Sequence, residues 1–452
     1  MTEPPRHVVP LREATKAWFL VSLQTFGGPA GQIAVMQKTL VDEKRWLGER
    51  RFLHALSYCM LLPGPEAQQL AIYSGWLLNG WLGGLIAGVL FVIPGVVALL
   101  ALSWAYVAHG DTALVAGLFL GLAPAVVAIV LQAVLRIGGR ALTHPVLVWL
   151  AVSAFLAIAV LDLPFPLVIL AAGVAGWLLG RVRPALLARP AGGDGPVDAA
   201  APLIPDEALH EARPSRRRNA LILGVGLVLW VAPVVVVWTL ASGERTVFLD
   251  QGLFFGGMAL VTFGGAYAVL SYVAQAAVET YGWVSANEMV RGLALAESTP
   301  GPLIMVVQFV AFLGAYRDPG SLNPWVAAVL ASLLTVWVTF VPCFLFIYIG
   351  APYVERLRGN AGLSAALTGV TAAVVGVIAN LALYFTAHTL FAETTRVGWE
   401  HLGLLVPVLG TYVWETFVVV AVGLVLVFRL RWSALRVLGL CAILGLGLSF
   451  VG

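Results

Sequence analysis

Long apolar runs, set off by charged or turn-forming breaks, follow one another along the whole chain. They fall at 13–37, 50–78, 81–108, 112–136, 145–161 and 164–180, and resume at 220–242, 250–275, 286–315, 325–350, 363–390, 403–428 and 433–451. Each approaches the roughly 20 residues that carry a helix across a bilayer. Between the two sets, Arg181 to Asn219 is rich in Pro, Ala and Gly and carries seven arginines and five acids, so it reads as a solvated linker. The pattern predicts an all-α polytopic membrane protein of about thirteen segments: six, one linking helix, and six more. The expected organisation is a first repeat over 1–180, a cytoplasmic linker over 181–219, an extra transmembrane helix over 220–242 and a second repeat over 243–452.

The second half repeats the first. Thr25-Phe26-Gly27-Gly28 returns as Thr262-Phe263-Gly264-Gly265, Trp46 as Trp283 and Pro63-Gly64-Pro65 as Pro300-Gly301-Pro302, all 237 residues on. Further along, Pro94, Gly121 and Gln132 match Pro342, Gly369 and Asn380 at a spacing of 248, which places 11 extra residues in the loop near Ala315 to Pro324. Ungapped motifs at constant spacing mark a duplication. Six crossings plus one extra invert the second copy, an arrangement typical of transporters. If each PGP segment instead dips in and returns, the halves become parallel. Positive charge separates these weakly: thirteen spans put 17 Lys or Arg inside and 8 outside, leaving Arg291 within a helix, while PGP re-entry gives 16 and 9.

Composition agrees. Apolar residues make up 60% and charged ones 11%, too few to cover a water-facing surface, and no polar stretch is long enough for a soluble catalytic domain. A net charge of +3 gives no indication of nucleic-acid binding. Cys59, Cys343 and Cys441 lie in apolar runs without metal or disulfide spacing, and the interrupted first run does not resemble a cleaved signal peptide. No HExxH, GxSxG or phosphate-binding loop occurs, so the expectation is a cofactor-free, gradient-driven transporter.

The candidate chemistry sits at the breaks. Proline removes a donor and glycine relaxes the chain, so Pro63, Gly64 and Pro65, and Pro300, Gly301 and Pro302, must interrupt their helices. Broken backbone inside a bilayer survives only when buried in protein or lining a watery cavity. A helix that starts there points N–H groups and a positive dipole end into the cavity, which suits an anion. We expect anion contacts from Thr25, Gly27, Gly28, Gln68, Thr262, Gly264, Gly265, Ser298 and Thr299 as well as both PGP motifs, mostly through backbone N–H groups helped by hydroxyls. Glu66 and Glu297 flank the breaks as candidate coupling acids, although they are not at equivalent positions. Lys38, Arg45 and Arg291 are candidates for an anion funnel, with interfacial snorkelling the competing reading for Arg291. Repeating glycines at 80, 84 and 88 are expected to serve helix packing.

At TFGGPAGQIAVMQ (25–37), Trp46, LPGPEAQQLAIYSG (62–75), TFGGAYAVL (262–270) and STPGP (298–302), the chain closely resembles the chromate ion transporter family in its long, two-domain form. The resemblance implies antiparallel halves and efflux of chromate across the bacterial cytoplasmic (inner) membrane, driven by potential or proton gradient and conferring chromate resistance. The residues alone reach a gradient-driven carrier of a small anion. Sulfate or another tetrahedral oxyanion, and from a different class a membrane-embedded transferase or scaffold, stay open. So does a homodimer.

Overall fold

The computed structural model describes residues 8–110, 112–183, 202–204, 216–241, 243–263, 265–351, 361–399 and 402–450. Leu11–Ser22 (α1) and Gly28–Gln37 (α2), which runs on into a π-helical turn at Lys38–Glu43, flank the first TFGG. Glu49–Cys59 (α3) and Glu66–His109 (α4) flank the first PGP, and Ala113–Ala141 (α5), Pro145–Ala159 (α6) and Phe165–Val182 (α7) complete the repeat. Arg216–Leu240 (α8) links to the second repeat. There Val247–Val261 (α9) and Ala266–Gln275 (α10) flank the second TFGG, while Ala286–Ser298 (α11) and Val306–Arg317 (α12) flank the second PGP. Pro324–Gly350 (α13), Ala361–Leu390 (α14), strands Thr394–Trp399 (β1) and Leu402–Pro407 (β2), Trp414–Leu424 (α15) and Ala434–Leu448 (α16) follow.

The all-α polytopic architecture stands, with one two-stranded exception, but the thirteen crossings do not. Lys44 at the exit of α2 pairs with Glu13 at the start of α1 at 2.9 Å, so this apolar segment begins and ends on the same face. The α3 segment behaves alike. Its start adjoins Ile204 through Gly48 N–H (3.4 Å), and Leu203 and Ile204 bond the carbonyls of Arg45 and Trp46. Its return arm ends where Val8 N–H meets the Leu78 carbonyl and Asn79 Nδ2 meets the Val9 carbonyl (2.6 Å). At Asn79 and Gly80 (φ +64°) α4 then folds back on itself, so the 44-residue helix is two antiparallel arms. Gly84 and Gly88 lie in the crease against Ile72, whereas Gly80 makes the corner and is not part of the packing stripe.

The second repeat is built the same way from the opposite face. Arg317, ending α12, pairs with Glu288 near the start of α11 at 2.5 Å and donates to the Trp283 carbonyl, and Phe254 of α9 packs on Tyr281 and Trp283 beyond α10. All four motif-bearing segments are therefore re-entrant hairpins. The crossings are the second arm of α4, then α5 to α8, α13, α14, α15 with its π-helical turn at Val425–Arg429, and α16, nine among the described residues. Four crossings, one, and four again still invert the second copy. Both segments of each repeat turn back, not the PGP segment alone, and so the halves remain antiparallel.

Equivalent contacts relate the two repeats by a pseudo-two-fold. Gly64 abuts Cys343 as Gly301 abuts Gly95, and Gly121 abuts Cys441 and Gly445 as Gly369 abuts Ala172 and Gly176. These pairs extend the repeat with a third spacing of 269, from Ala172 to Cys441 and Gly176 to Gly445. Charge now discriminates. Of 26 Lys and Arg, five lie outside the described residues; of the remaining 21, 17 sit towards the face holding residues 8–13, the N-terminal face, and only Arg245, Arg291, Arg317 and Arg396 towards the other.

The run expected to cross at 403–428 begins instead with β2, paired antiparallel to β1 with Gly398 opposite Gly403. This hairpin has no counterpart in the first repeat. It lies on the C-terminal face, where Gly403 N–H bonds the Val160 carbonyl and Arg396 pairs with Asp162 at 3.1 Å. α8, apolar on every side and without a buried residue, is held to α13 by two indole bonds, Trp230 Nε1 to the Val338 carbonyl and Trp337 Nε1 to the Leu229 carbonyl.

Candidate functional site

The tips of the four hairpins meet inside the bundle. Gly64 N–H donates to the Thr262 carbonyl at 2.8 Å, and its counterpart Gly301 N–H donates to the Thr25 carbonyl at 3.1 Å. Each PGP break of one repeat thus pairs with the TFGG break of the other. Glycine is required there: φ is +119° at Gly64 and +107° at Gly301, a region closed to other side chains at modest cost. Gln32 tightens the second joint by donating from Nε2 to the Gly301 carbonyl at 2.5 Å.

Four helices begin at this junction. Gly27, Pro65 and Gly265 precede α2, α4 and α10, and Pro302 precedes the short 3-10 turn that leads into α12. The first N–H groups of each helix have no partner one turn back. Each helix also places its positive dipole end at the centre. Pro63 and Pro300 stand at the outer edge of the breaks: the Pro63 carbonyl accepts from Gln69 Nε2 (2.6 Å), and the Pro300 carbonyl presses on Gly95.

Two acids reach the junction by different routes. Glu66 opens α4, and its Oε1 lies 3.8 Å from where a Cβ would stand on Gly265. Glu297, buried near the end of α11, accepts a short hydrogen bond from Tyr267, whose hydroxyl faces Gly28 across 3.6 Å of Cβ space. The second Glu297 oxygen and both amide atoms of Gln68 are buried without a hydrogen-bond partner among the described residues. Buried polar groups left so are exceptional.

Some expected roles change. The N–H groups of Gly64 and Gly301 are spent on the joints. Thr25, Thr262, Ser298 and Thr299 donate their hydroxyl protons to the carbonyls of Ser22, Met258, Leu295 and Ala296, one turn back in each case, which leaves acceptors where an anion needs donors. The donors still free are the opening amides of the four helices, together with Gln68. Gly264 lies outside the described residues. The three funnel cations do not converge. Lys38 (paired with Glu43 at 3.4 Å) and Arg45 (φ +51°) are on the N-terminal face, while Arg291 is on the other, bonded to the Tyr106 hydroxyl at 3.2 Å and stacked over Phe119.

Three residues escaped the sequence reading. Gln32 lies one helical turn past the first TFGG and Tyr267 two residues past the second, within stretches the motifs already marked. Arg136, on α5, is exposed yet stands within electrostatic reach of Tyr267 and Glu297. Its signal was a lone charge ending an apolar run.

A family model described as chromate transporter matches residues 12–177 and 249–446. The chromate transport protein of Pseudomonas aeruginosa is 34% identical over 363 residues, covering 79% of this chain and 76% of that one. The chromate transport protein of Cupriavidus metallidurans is 27% identical over 369 residues (81% and 80%), and a probable chromate transport protein of Synechococcus elongatus 27% over 376 residues (82% and 84%). No solved structure matches.

Proposed function

The chain belongs to the chromate transporter family, and from that premise we propose that it carries chromate through the hairpin junction, exporting it across the bacterial cytoplasmic membrane and so conferring resistance. The observation that carries this reading is the convergence of four helix N-termini at one enclosed point. Each contributes roughly half a positive charge, so together they offset about two charges, the burden of a tetrahedral dianion. Fixed dipoles can do this without a buried lysine or arginine, whose own desolvation would be expensive.

By the positive-inside rule the face holding 17 of 21 described basic residues is the cytoplasmic one, so export in this reading runs from the N-terminal to the C-terminal face. Coupling falls to Glu297, with Tyr267 as its hydrogen-bond partner. A carboxyl in an apolar enclosure that faces unfilled donors suits a proton carried with, or against, the anion. Glu66, beside Gly265, then acts on the anion itself, since its charge would repel an occupant unless protonated.

Sulfate shares the shape and charge of chromate, and none of the groups named above separates them. The test is flux in proteoliposomes of the full chain with pH gradient and potential imposed separately, using chromate and sulfate in parallel. Chromate should accumulate against its gradient when at least one of the two driving forces is present. Uphill movement of sulfate alone would reassign the substrate, and failure of both would remove the transport reading.

A further inference from the structure

On the C-terminal face, the β-hairpin roofs a small polar cavity of about 100 Å³. Its polar lining includes Asp162, Gln275, Glu279, Asn380, Tyr384 and Arg396. The repeat spacings assign each but the last a counterpart on the N-terminal face. Gln275 and Glu279 correspond to Lys38 and Asp42 (237), Asn380 and Tyr384 to Gln132 and Arg136 (248), and Asp162 to Arg431 (269). The last pair keeps its backbone as well, with φ +51° at Asp162 and +54° at Arg431.

The charges do not survive the exchange. A glutamine and a tyrosine on one face are a lysine and an arginine on the other, and an aspartate has become an arginine. Formal charge changes from −2 to +2 between the equivalent sets, although Arg396, which belongs to the inserted hairpin, pairs with Asp162 and also bears on Glu279.

The two faces also differ in closure. α10 packs directly on α14 above the polar cavity, while the equivalent α2 makes no comparable packing on α5 among the described residues. The first-repeat hairpins accordingly form a hydrophobic cluster separate from that of α5 to α7. Lys38, Arg136 and Arg431 are exposed, and by the repeat spacings they stand where Gln275, Tyr384 and Asp162 line the cavity of the other face. An arginine inside a crossing helix cannot face hydrocarbon cheaply, and Arg136 reaches electrostatically to Tyr267 and Glu297 in the interior.

We propose that Arg136, assisted by Lys38 and Arg431, forms a capture site for a dianionic oxyanion on the N-terminal face, and that its uncharged and acidic counterpart on the C-terminal face favours release. The proposal rests on the transport reading above and adds the side chains that give it a direction. Field lines from Arg136 and Arg431, with a smaller share from Lys38, which is paired with Glu43, raise the local anion concentration at one mouth, while an equivalent mouth lacking them does not hold the product.

Chromate flux measured separately from each face in vesicles of known orientation tests this. Arg136→Gln should raise KM about tenfold for chromate presented at the N-terminal face, the ~1.4 kcal/mol of one lost charge-assisted contact. KM at the opposite face should stay within about twofold, and Arg136→Lys should recover most of the loss. Equal changes at both faces, or none, would overturn the proposal. A second measurement does not need transport. In a chain with Cys59, Cys343 and Cys441 replaced by alanine, Arg136→Cys should react several-fold faster with an anionic than with a cationic impermeant thiol reagent, and Tyr384→Cys should show the reverse preference from the other face. Loss of wild-type flux would sink the transport reading, whereas equal labelling by the two reagents would sink the capture site itself.

Discussion

Replacing Gly301 by alanine perturbs the junction at one methyl group. At φ +107° an alanine is strained by about 1 to 3 kcal/mol. The added Cβ would stand 3.3 Å from Gly95 Cα, closer than the roughly 3.5 to 4.0 Å of a relaxed carbon contact. Any shift that relieves this strains two bonds, the one donated to the Thr25 carbonyl (3.1 Å) and the one accepted from Gln32 (2.5 Å), each worth about 1 kcal/mol. A total of about 2 to 4 kcal/mol lowers the population of the closed junction roughly 30- to 700-fold. We therefore expect initial chromate flux per inserted molecule to fall at least tenfold, with membrane abundance retained because the substitution lies at a hairpin tip and leaves the sequence of every crossing unchanged. Gly64→Ala, at φ +119° and 3.0 Å from Cys343 Sγ, should do the same. The control is Gly257→Ala on α9, where a Cβ meets nothing within 4 Å and helix propensity gains up to about 1 kcal/mol. If both junction variants transport within about twofold of wild type while Gly257→Ala does too, the reciprocal joints have no part in the transport cycle.

Three further outcomes are expected. A cysteine at Glu43 should be labelled by an impermeant thiol reagent from the same side as one placed in the linker, because α1 and α2 form a hairpin; labelling from the opposite side would restore a crossing. Glu297→Gln should flatten the pH dependence of flux, and an unchanged profile between about pH 5.5 and 8.5 would exclude this acid as the coupling group. Gln32→Ala should weaken the joint at Gly301 by about 1 to 3 kcal/mol, the penalty of a buried carbonyl losing its donor, and should cut flux in the direction of Gly301→Ala without the backbone strain.

The duplication, its inversion and the four breaks were legible because they are written as identical short motifs at constant spacing. Whether a broken segment crosses or returns was not, since largely apolar runs of 25 to 30 residues fit either path and the difference lies in contacts such as Glu13 with Lys44. The β-hairpin was hidden for a related reason. Leu402 to Val408 is as apolar as a helix start, and its pairing with Thr394–Trp399 is a tertiary fact. At the junction the motif residues were found, but their division of labour was not. Threonine and serine were expected to face the ligand, while the geometry turns each hydroxyl back on its own helix. Arg136 was readable in principle. Aligned at the spacing that equates Gln132 with Asn380, it replaces Tyr384, and such a loss of symmetry is a better guide to a directional device than identity is.

The three hydrogen bonds that join the hairpin tips, from Gly64 to Thr262, from Gly301 to Thr25 and from Gln32 to Gly301, all run between the two repeats. During biogenesis, then, the first repeat is synthesised with its breaks unmated, and they stay so until the second arrives. α8 decides whether that mating can occur. Opened by Arg216, Arg217 and Arg218 and clipped to α13 by its indole bonds, it is the single extra crossing that sets the second repeat upside down. An error in its insertion would deliver both sets of tips to the same leaflet, and the quality-control machinery would meet two intact half-bundles that can never close.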